Sequence, residues 1–60
     1  AGIDVDLIEA HKWFNIAALK GSAHAPYMRA EIAEDMTARE IIEAQKLARS
    51  WLQMTTLRAA

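Results

Sequence analysis

The sequence contains no cysteine, one proline, two glycines and four aromatic residues among its 60 positions. Without cysteine the chain can form neither a disulfide nor a thiolate metal site. Its apolar runs fall far short of the about 20 residues that span a membrane, so we expect no membrane insertion. Neither sign of charge dominates, because seven basic and eight acidic residues are interspersed and give a net charge of −1. Nucleic-acid-binding domains usually carry a basic face, and the pI of about 6.1 argues against a nucleic-acid partner.

The small size of the chain limits its hydrophobic core. A domain of about 60 residues buries only about 60% of the surface that its unfolded chain exposes. The hydrophobic fraction of 53% overstates the core, because 13 of the residues are alanines with little area to bury. Such a chain therefore needs well-packed helices, oligomerisation or membership of a larger array.

Local signals predict an all-α fold of three helices without strands. Strong helix formers dominate the composition, and no alternating apolar and polar run is bounded by turn residues. The predicted helices span residues 7–20, 22–34 and 37–54. Ser22 is the expected N-cap of the second helix, and the weak helix formers Thr55 and Thr56 predict that the third fades after Met54. The short connections predict three antiparallel helices, an αα-hairpin with the third helix folded back on it.

Capping residues define the ends of the first and third helices. Asp6 with Glu9, and Thr37 with Glu40, have the spacing of capping boxes, in which two side chains satisfy each other's backbone N–H groups. Gly21 follows the first helix at the position where a residue with positive φ ends many helices.

A search for catalytic chemistry finds no constellation of reacting residues. His11 and His24 lie on different helices, and no carboxylate has a metal-ligand spacing to both. His11 and Asn15 share a helical face, which supports only a hydrogen bond. We therefore expect no catalytic residue, no metal site and no cofactor, and a protein that is not an enzyme. A chain of this size also has little room for a pocket of about 300 Å³.

The basic residues of the third helix raise an alternative, a three-helix DNA-binding fold. Arg39, Lys46 and Arg49 would have to face DNA phosphates together with Glu40 and Glu43, which are interleaved with them. This charge pattern argues against the alternative.

The two tryptophans allow two interpretations. On the first helix, Trp13 and Ile16 flank a predicted inward face, whose members are Leu7, Ala10, Phe14, Ala17 and Ala18. Trp51 lies on the predicted inward face of the third helix. The tryptophans are either the largest core residues of a small domain or anchors of an interface, a role in which tryptophan is enriched. Trp13, Ile16 and Trp51 are therefore the candidate interface residues.

From Gly2 to Ala25 the order of residues resembles a Sel-one-like repeat, a relative of the tetratricopeptide repeats. The matching positions are Gly2-Ile3, Asp6, Ala10, Lys12-Trp13-Phe14, Ala17-Ala18, Gly21 and Ala25. The next repeat should open with a helix that carries Leu-Gly, which the stretch from Ala25 to Ile32 lacks. Residues 36–51 resemble the terminal helix that closes such arrays in bacterial proteins.

The resemblance implies an α-solenoid fragment: half a repeat, a degenerate helix and a C-terminal capping helix. It implies a protein–protein interaction scaffold with an unknown protein partner, no shared active site and no cofactor. An isolated fragment of this kind should cover its open face, near Trp13 or Ile16, by forming a homodimer. The alternative is a small structural helical protein that associates only with itself.

Overall fold

The computed structural model describes residues 6–59, with side chains through Thr55, so the family-type positions Gly2 and Ile3 lie outside the described residues. The regular structure in this part of the chain is entirely helical, as predicted. It consists of α1 (Leu7–Leu19), α2 (Ala25–Ala33) and α3 (Ala38–Ala59). None of these described helices is both long enough and apolar enough to cross a membrane.

Helix α1 begins and ends on the signals that the sequence carries. The Asp6 carboxylate accepts a hydrogen bond from the Glu9 backbone N–H at 3.0 Å. Only this half of the predicted capping box forms, because the Glu9 carboxylate accepts instead from Lys12 and Trp13. At the other end Gly21 has φ +104°, and the N–H groups of Gly21 and Ser22 close a Schellman motif on carbonyls of the last helical turn.

The predicted start of the second helix is wrong by three residues. Helix α2 begins at Ala25, and His24 occupies its cap position without a side-chain hydrogen bond. The physical reason is the Schellman motif, in which the Ser22 backbone N–H is bound to the Ala17 carbonyl at 3.0 Å. The Ser22 hydroxyl still accepts a bond from the Ala25 N–H, at 3.2 Å, across the turn.

Helix α3 starts as predicted but ends five residues later than expected. The Thr37 hydroxyl accepts from the Glu40 N–H, and the Glu40 carboxylate accepts from the Thr37 N–H, so this capping box is complete. The helix continues beyond Met54 to Ala59. The low helix propensity of threonine costs at most about 0.7 kcal/mol relative to alanine, and the Thr55 hydroxyl donates to the Trp51 carbonyl at 2.8 Å.

Helix α1 is the centre of the packing. It packs against both other helices, whereas α2 and α3 scarcely touch each other. The third helix therefore folds back on α1 rather than on the whole hairpin. On α3 the buried residues are alanines, with Ala44 fully covered, and such small side chains let two helix axes come close.

The buried face of α1 differs from the predicted one. Its buried residues are His11, Asn15 and Ile16, while the predicted inward residues are only half-buried. Because α1 has a neighbouring helix on each of two sides, burial does not follow one continuous stripe. This arrangement places two polar side chains inside the small domain.

Candidate interaction surfaces

Trp13 of α1 and Trp51 of α3 meet edge to face. Their ring centroids lie 5.5 Å apart and their planes are inclined at 74°. This T-shaped geometry is a favourable one for aromatic pairs and adds about 0.5–1.5 kcal/mol to the burial of the rings. Trp13 nevertheless remains 43% exposed, and Trp51 is half-buried. The pair thus joins two helices and also faces solvent.

Polar neighbours fix the orientation of Trp13. Its indole Nε1–H donates to Glu9 Oε1 at 2.9 Å, and the same oxygen accepts from Lys12 Nζ at 2.8 Å. The hydrogen bond from Lys12, followed by that from Trp13, lowers the pKa of the Glu9 carboxyl. Lys12 Nζ also lies 4.3 Å from the Trp13 ring centroid, and Lys20 Nζ lies 5.1 Å from that of Trp51. Both distances are within the range of cation–π contacts.

Exposed apolar side chains extend this surface along α3. Leu47, Trp51 and Met54 follow one another at spacings of four and three residues, so they share one side of the helix. Leu47 and Met54 are both exposed. We call Trp13, Leu47, Trp51 and Met54 the tryptophan patch.

Ile16, the third candidate interface residue, does not belong to this patch. It is only 4% exposed within the chain itself, so it offers no surface to a partner. Because α2 and α3 both pack against α1, the isoleucine is covered internally. Ile16 is therefore a core residue. Of the two residues near which an open face was predicted, only Trp13 is exposed.

A buried polar network links α1 to α2. Asn15 and His11 are 9% and 3% exposed, and the Asn15 Nδ2 lies 3.2 Å from His11 Nδ1. The Arg29 guanidinium donates to Asn15 Oδ1 at 2.6 Å. With its oxygen engaged, Asn15 donates through Nδ2, which assigns His11 the neutral form that carries its proton on Nε2. The sequence predicts the His11–Asn15 bond but gives no signal for Arg29, which lies 14 residues from Asn15 along the chain.

The burial of His11 predicts a fold that weakens in mild acid. Desolvation, and secondly the charge of Arg29, lower the pKa of His11 from its usual 6.5. As the pH falls below about 6.5, the unfolded chain therefore takes up a proton that the folded chain does not, and stability decreases until the folded pKa is reached. The slope is at most about 1.4 kcal/mol per pH unit for one proton. Urea unfolding between about pH 8 and about pH 5 measures it.

Two variants separate His11 from the other titrating groups. His11→Gln should remove the slope in this range, whereas His24→Gln, at an exposed position, should retain it. Glu9 acts in a different range, because its lowered pKa makes its contribution disappear only below its usual 4.5. A slope that survives in His11→Gln would contradict the assignment.

A groove runs between α1 and α3, with a volume of about 830 Å³. Asn15 and Leu19 line it from α1. Its remaining lining residues belong to α3 and are Gln45, Ala48, Arg49, Leu52 and Gln53. The volume is within the range of about 300–1,000 Å³ that is typical of ligand sites. The prediction that a chain of this size has little room for a pocket is therefore wrong, because the long α3 lies beside the shorter α1 and leaves a groove between them.

Three hydroxyl groups of the described residues have structural partners. Thr37 caps α3, Ser22 accepts from the turn before α2, and Thr55 bonds within its own helix. Within the described residues, no three histidine or carboxylate side chains come together in a way that could hold a metal ion. Among the residues with described side chains, the tryptophan patch and the groove are the two candidate interaction surfaces.

Comparison of the chain with protein-family models, with curated proteins and with solved structures finds no match.

Proposed function

We propose that this chain is a protein–protein interaction module, the C-terminal part of a Sel-one-like or tetratricopeptide-like helical repeat scaffold. The observation that carries the proposal is the tryptophan patch. Tryptophan is enriched among residues that dominate binding energy, and a contiguous exposed apolar surface is typical of an interaction site. Trp13 is well suited to this role, because Glu9 satisfies its indole N–H while 43% of the residue stays accessible.

The rigidity of the patch supports the same function. Trp13 is held by Glu9 and by the Trp51 ring, and each tryptophan has a lysine over its face. A preorganised aromatic surface loses little conformational entropy on binding, which increases affinity for a given contact area. The flanking ammonium groups favour a partner whose surface is apolar with carboxylates at its edge.

The helix arrangement is compatible with the end of a repeat array. Helices α1 and α2 form a hairpin that turns at Gly21, and α3 covers another side of α1. Repeat units bury their apolar faces against neighbouring units. In this proposal α3 is the closing helix of the array, packed against α1.

The second candidate is a structural helical protein that associates only with itself, and the same exposed patch favours it. In an isolated chain a second copy related by a two-fold axis is the simplest cover for such a surface. The two functions differ in what covers the patch, so an experiment that identifies the covering molecule separates them.

A photo-crosslinking amino acid at position 47 tests both candidates. Leu47 lies in the patch, and Tyr27 is an exposed residue of α2 that belongs neither to the patch nor to the groove, so a probe at position 27 is the control. In cells that express the chain, we expect a covalent adduct with a different protein from position 47 and none from position 27. An adduct only with a second copy would establish the self-associating alternative instead, and equal labelling from both positions would contradict an interface at the patch.

Trp13→Glu should weaken whichever complex forms at the patch by at least about tenfold, because it places a charge where an aromatic anchor was. Tyr27→Glu, at an exposed aromatic of α2 outside the patch, should leave the complex unchanged. Sedimentation measures the self-association, and titration with the crosslinked protein measures the other complex. Equal effects of the two variants would exclude the patch as the binding surface.

A further inference from the structure

The lining of the groove between α1 and α3 combines a row of polar side chains on α3 with apolar side chains. Gln45, Arg49 and Gln53 recur every four residues on α3, so their side chains project in a line. At a rise of 1.5 Å per residue, successive members stand about 6 Å apart along the helix, and the row is about 12 Å long. Leu19 and Leu52 provide apolar surface beside it.

Arg49 stands out because its surroundings are neutral or basic. The residues one helical turn away are Gln45, Lys46, Leu52 and Gln53, none of which is a carboxylate. No acidic residue lines the groove. Lys12, in contrast, has Glu9 at 2.8 Å. Within the described residues the Arg49 side chain makes neither a hydrogen bond nor an ion pair, so the groove presents an uncompensated positive charge.

The three amides of the groove are suited to peptide groups. Each amide side chain offers both donors and an acceptor. Asn15 uses one N–H toward His11 and one lone pair toward Arg29, which leaves it one N–H and one lone pair. A peptide in a helix has its backbone N–H and C=O groups engaged internally, whereas an extended peptide offers them to side chains.

The spacing of the row agrees with that of an extended chain. Residues on one side of an extended peptide repeat every two positions, at about 6.4–6.8 Å. This repeat is close to the about 6 Å between Gln45, Arg49 and Gln53. If one side chain of an extended peptide points to Arg49, the side chains two positions before and after it lie opposite Gln45 and Gln53.

We propose that the groove binds an extended segment of a partner protein, with an internal aspartate or glutamate on Arg49 and an apolar side chain against Leu19 and Leu52. The charge complementarity selects a carboxylate, and the amides select exposed peptide groups. This inference rests on the proposed interaction function, but it uses none of the residues of the tryptophan patch. The row has one cation, Arg49, which lies midway between the amides of Gln45 and Gln53.

Titration with short synthetic peptides, followed by amide chemical shifts of the whole chain, tests the proposal. The probe is an end-blocked pentapeptide with a central glutamate between two leucines, and its reference carries glutamine in place of glutamate. We expect shifts at Gln45, Arg49 and Gln53, with the glutamate peptide bound about three- to tenfold more tightly. This range reflects a solvent-accessible ion pair between the glutamate and Arg49. Arg49→Gln should bind both peptides equally.

Arg39→Gln is the matched control, because Arg39 is an exposed arginine of the same helix that does not line the groove. It should preserve the preference for glutamate. The proposal is overturned if Arg49→Gln still discriminates between the peptides, or if millimolar peptide leaves the groove signals unshifted. A neutral peptide with a free C-terminal carboxylate that binds more tightly than the internal glutamate would also overturn it. Groove signals that shift with the concentration of the chain alone would assign the groove to a second copy.

The two proposals fail separately. If the unmodified chain does not discriminate between the two peptides but still forms the crosslink from position 47, the groove proposal is wrong and the patch proposal stands. If it discriminates between the peptides but forms no crosslink from position 47, the patch proposal is wrong and the groove proposal stands. Arg49 and Arg39 are both exposed residues of α3, so both variants should unfold like the unmodified chain.

Discussion

Ile16→Ala should leave the domain largely unfolded at room temperature. Ile16 is the one large aliphatic side chain in the buried set of the described residues, whose other apolar members are the alanines Ala25, Ala44 and Ala48. Truncation of a buried isoleucine to alanine costs about 2–5 kcal/mol, because it removes apolar burial and leaves a cavity. Domains below about 70–80 residues rarely have more than about 3–5 kcal/mol to lose. Urea unfolding followed by helical circular dichroism measures the change.

Ile42→Ala is the control for this experiment. It makes the same substitution on α3, where the isoleucine is 56% exposed, and should change the free energy of unfolding by less than about 1 kcal/mol. Both variants must be compared at one protein concentration, since self-association adds to apparent stability. Equal losses in the two variants would mean that Ile16 is not the principal apolar core residue of the fold.

The helix ends show how far local sequence determines this structure. The Thr37–Glu40 capping box and the positive φ of Gly21 form as predicted, because both depend on residues within one turn of each other. The predicted start of α2 and the predicted end of α3 were wrong for related reasons. The backbone N–H of Ser22 binds a carbonyl at the end of α1, and Thr55 fits inside α3 because its hydroxyl donates to a carbonyl of the same helix.

The buried face of α1 could not be derived from its periodicity. Apolar residues occur around most of this alanine-rich helix, so the pattern does not distinguish a residue such as Ile16 from a half-buried one such as Phe14. Which side is covered depends on where α3 lies, and that placement is a tertiary property. The edge-to-face contact of Trp13 with Trp51 and the groove at Arg49 both result from this one choice.

The tryptophan patch and the groove lie on opposite sides of the buried residues of α3. Trp51 and Leu47 lie on one side of the buried Ala44 and Ala48, whereas Arg49 lies on the other. One helix therefore presents an apolar aromatic surface and a polar groove on either side of its buried stripe. If both proposals hold, a single long helix supplies most of the contact residues for two different partners.

Asn15→Leu should destabilise the fold by about 2–4 kcal/mol, which is most of the stability of so small a domain. The substitution keeps the branched shape and the number of side-chain heavy atoms but removes the donor to His11 Nδ1 and the acceptor of the Arg29 bond. A buried acceptor without a partner costs about 1–3 kcal/mol, and the hydrogen bond to the charged guanidinium is worth about 1.5–3 kcal/mol. The sum is reduced because half-buried Arg29 can turn toward water. Urea unfolding near neutral pH measures the loss.

The double variant His11→Phe with Asn15→Leu distinguishes an unmade hydrogen bond from poor packing. Replacing both members of a buried polar pair by apolar groups can be nearly neutral, so the double variant should recover part of the stability that Asn15→Leu loses. Gln53→Leu is the surface control, since it makes an amide-to-leucine change at an exposed groove residue and should alter stability by less than about 0.5 kcal/mol. If Asn15→Leu behaves like Gln53→Leu, the network of His11, Asn15 and Arg29 does not hold α2 on α1, and the contact between these helices depends on apolar packing alone.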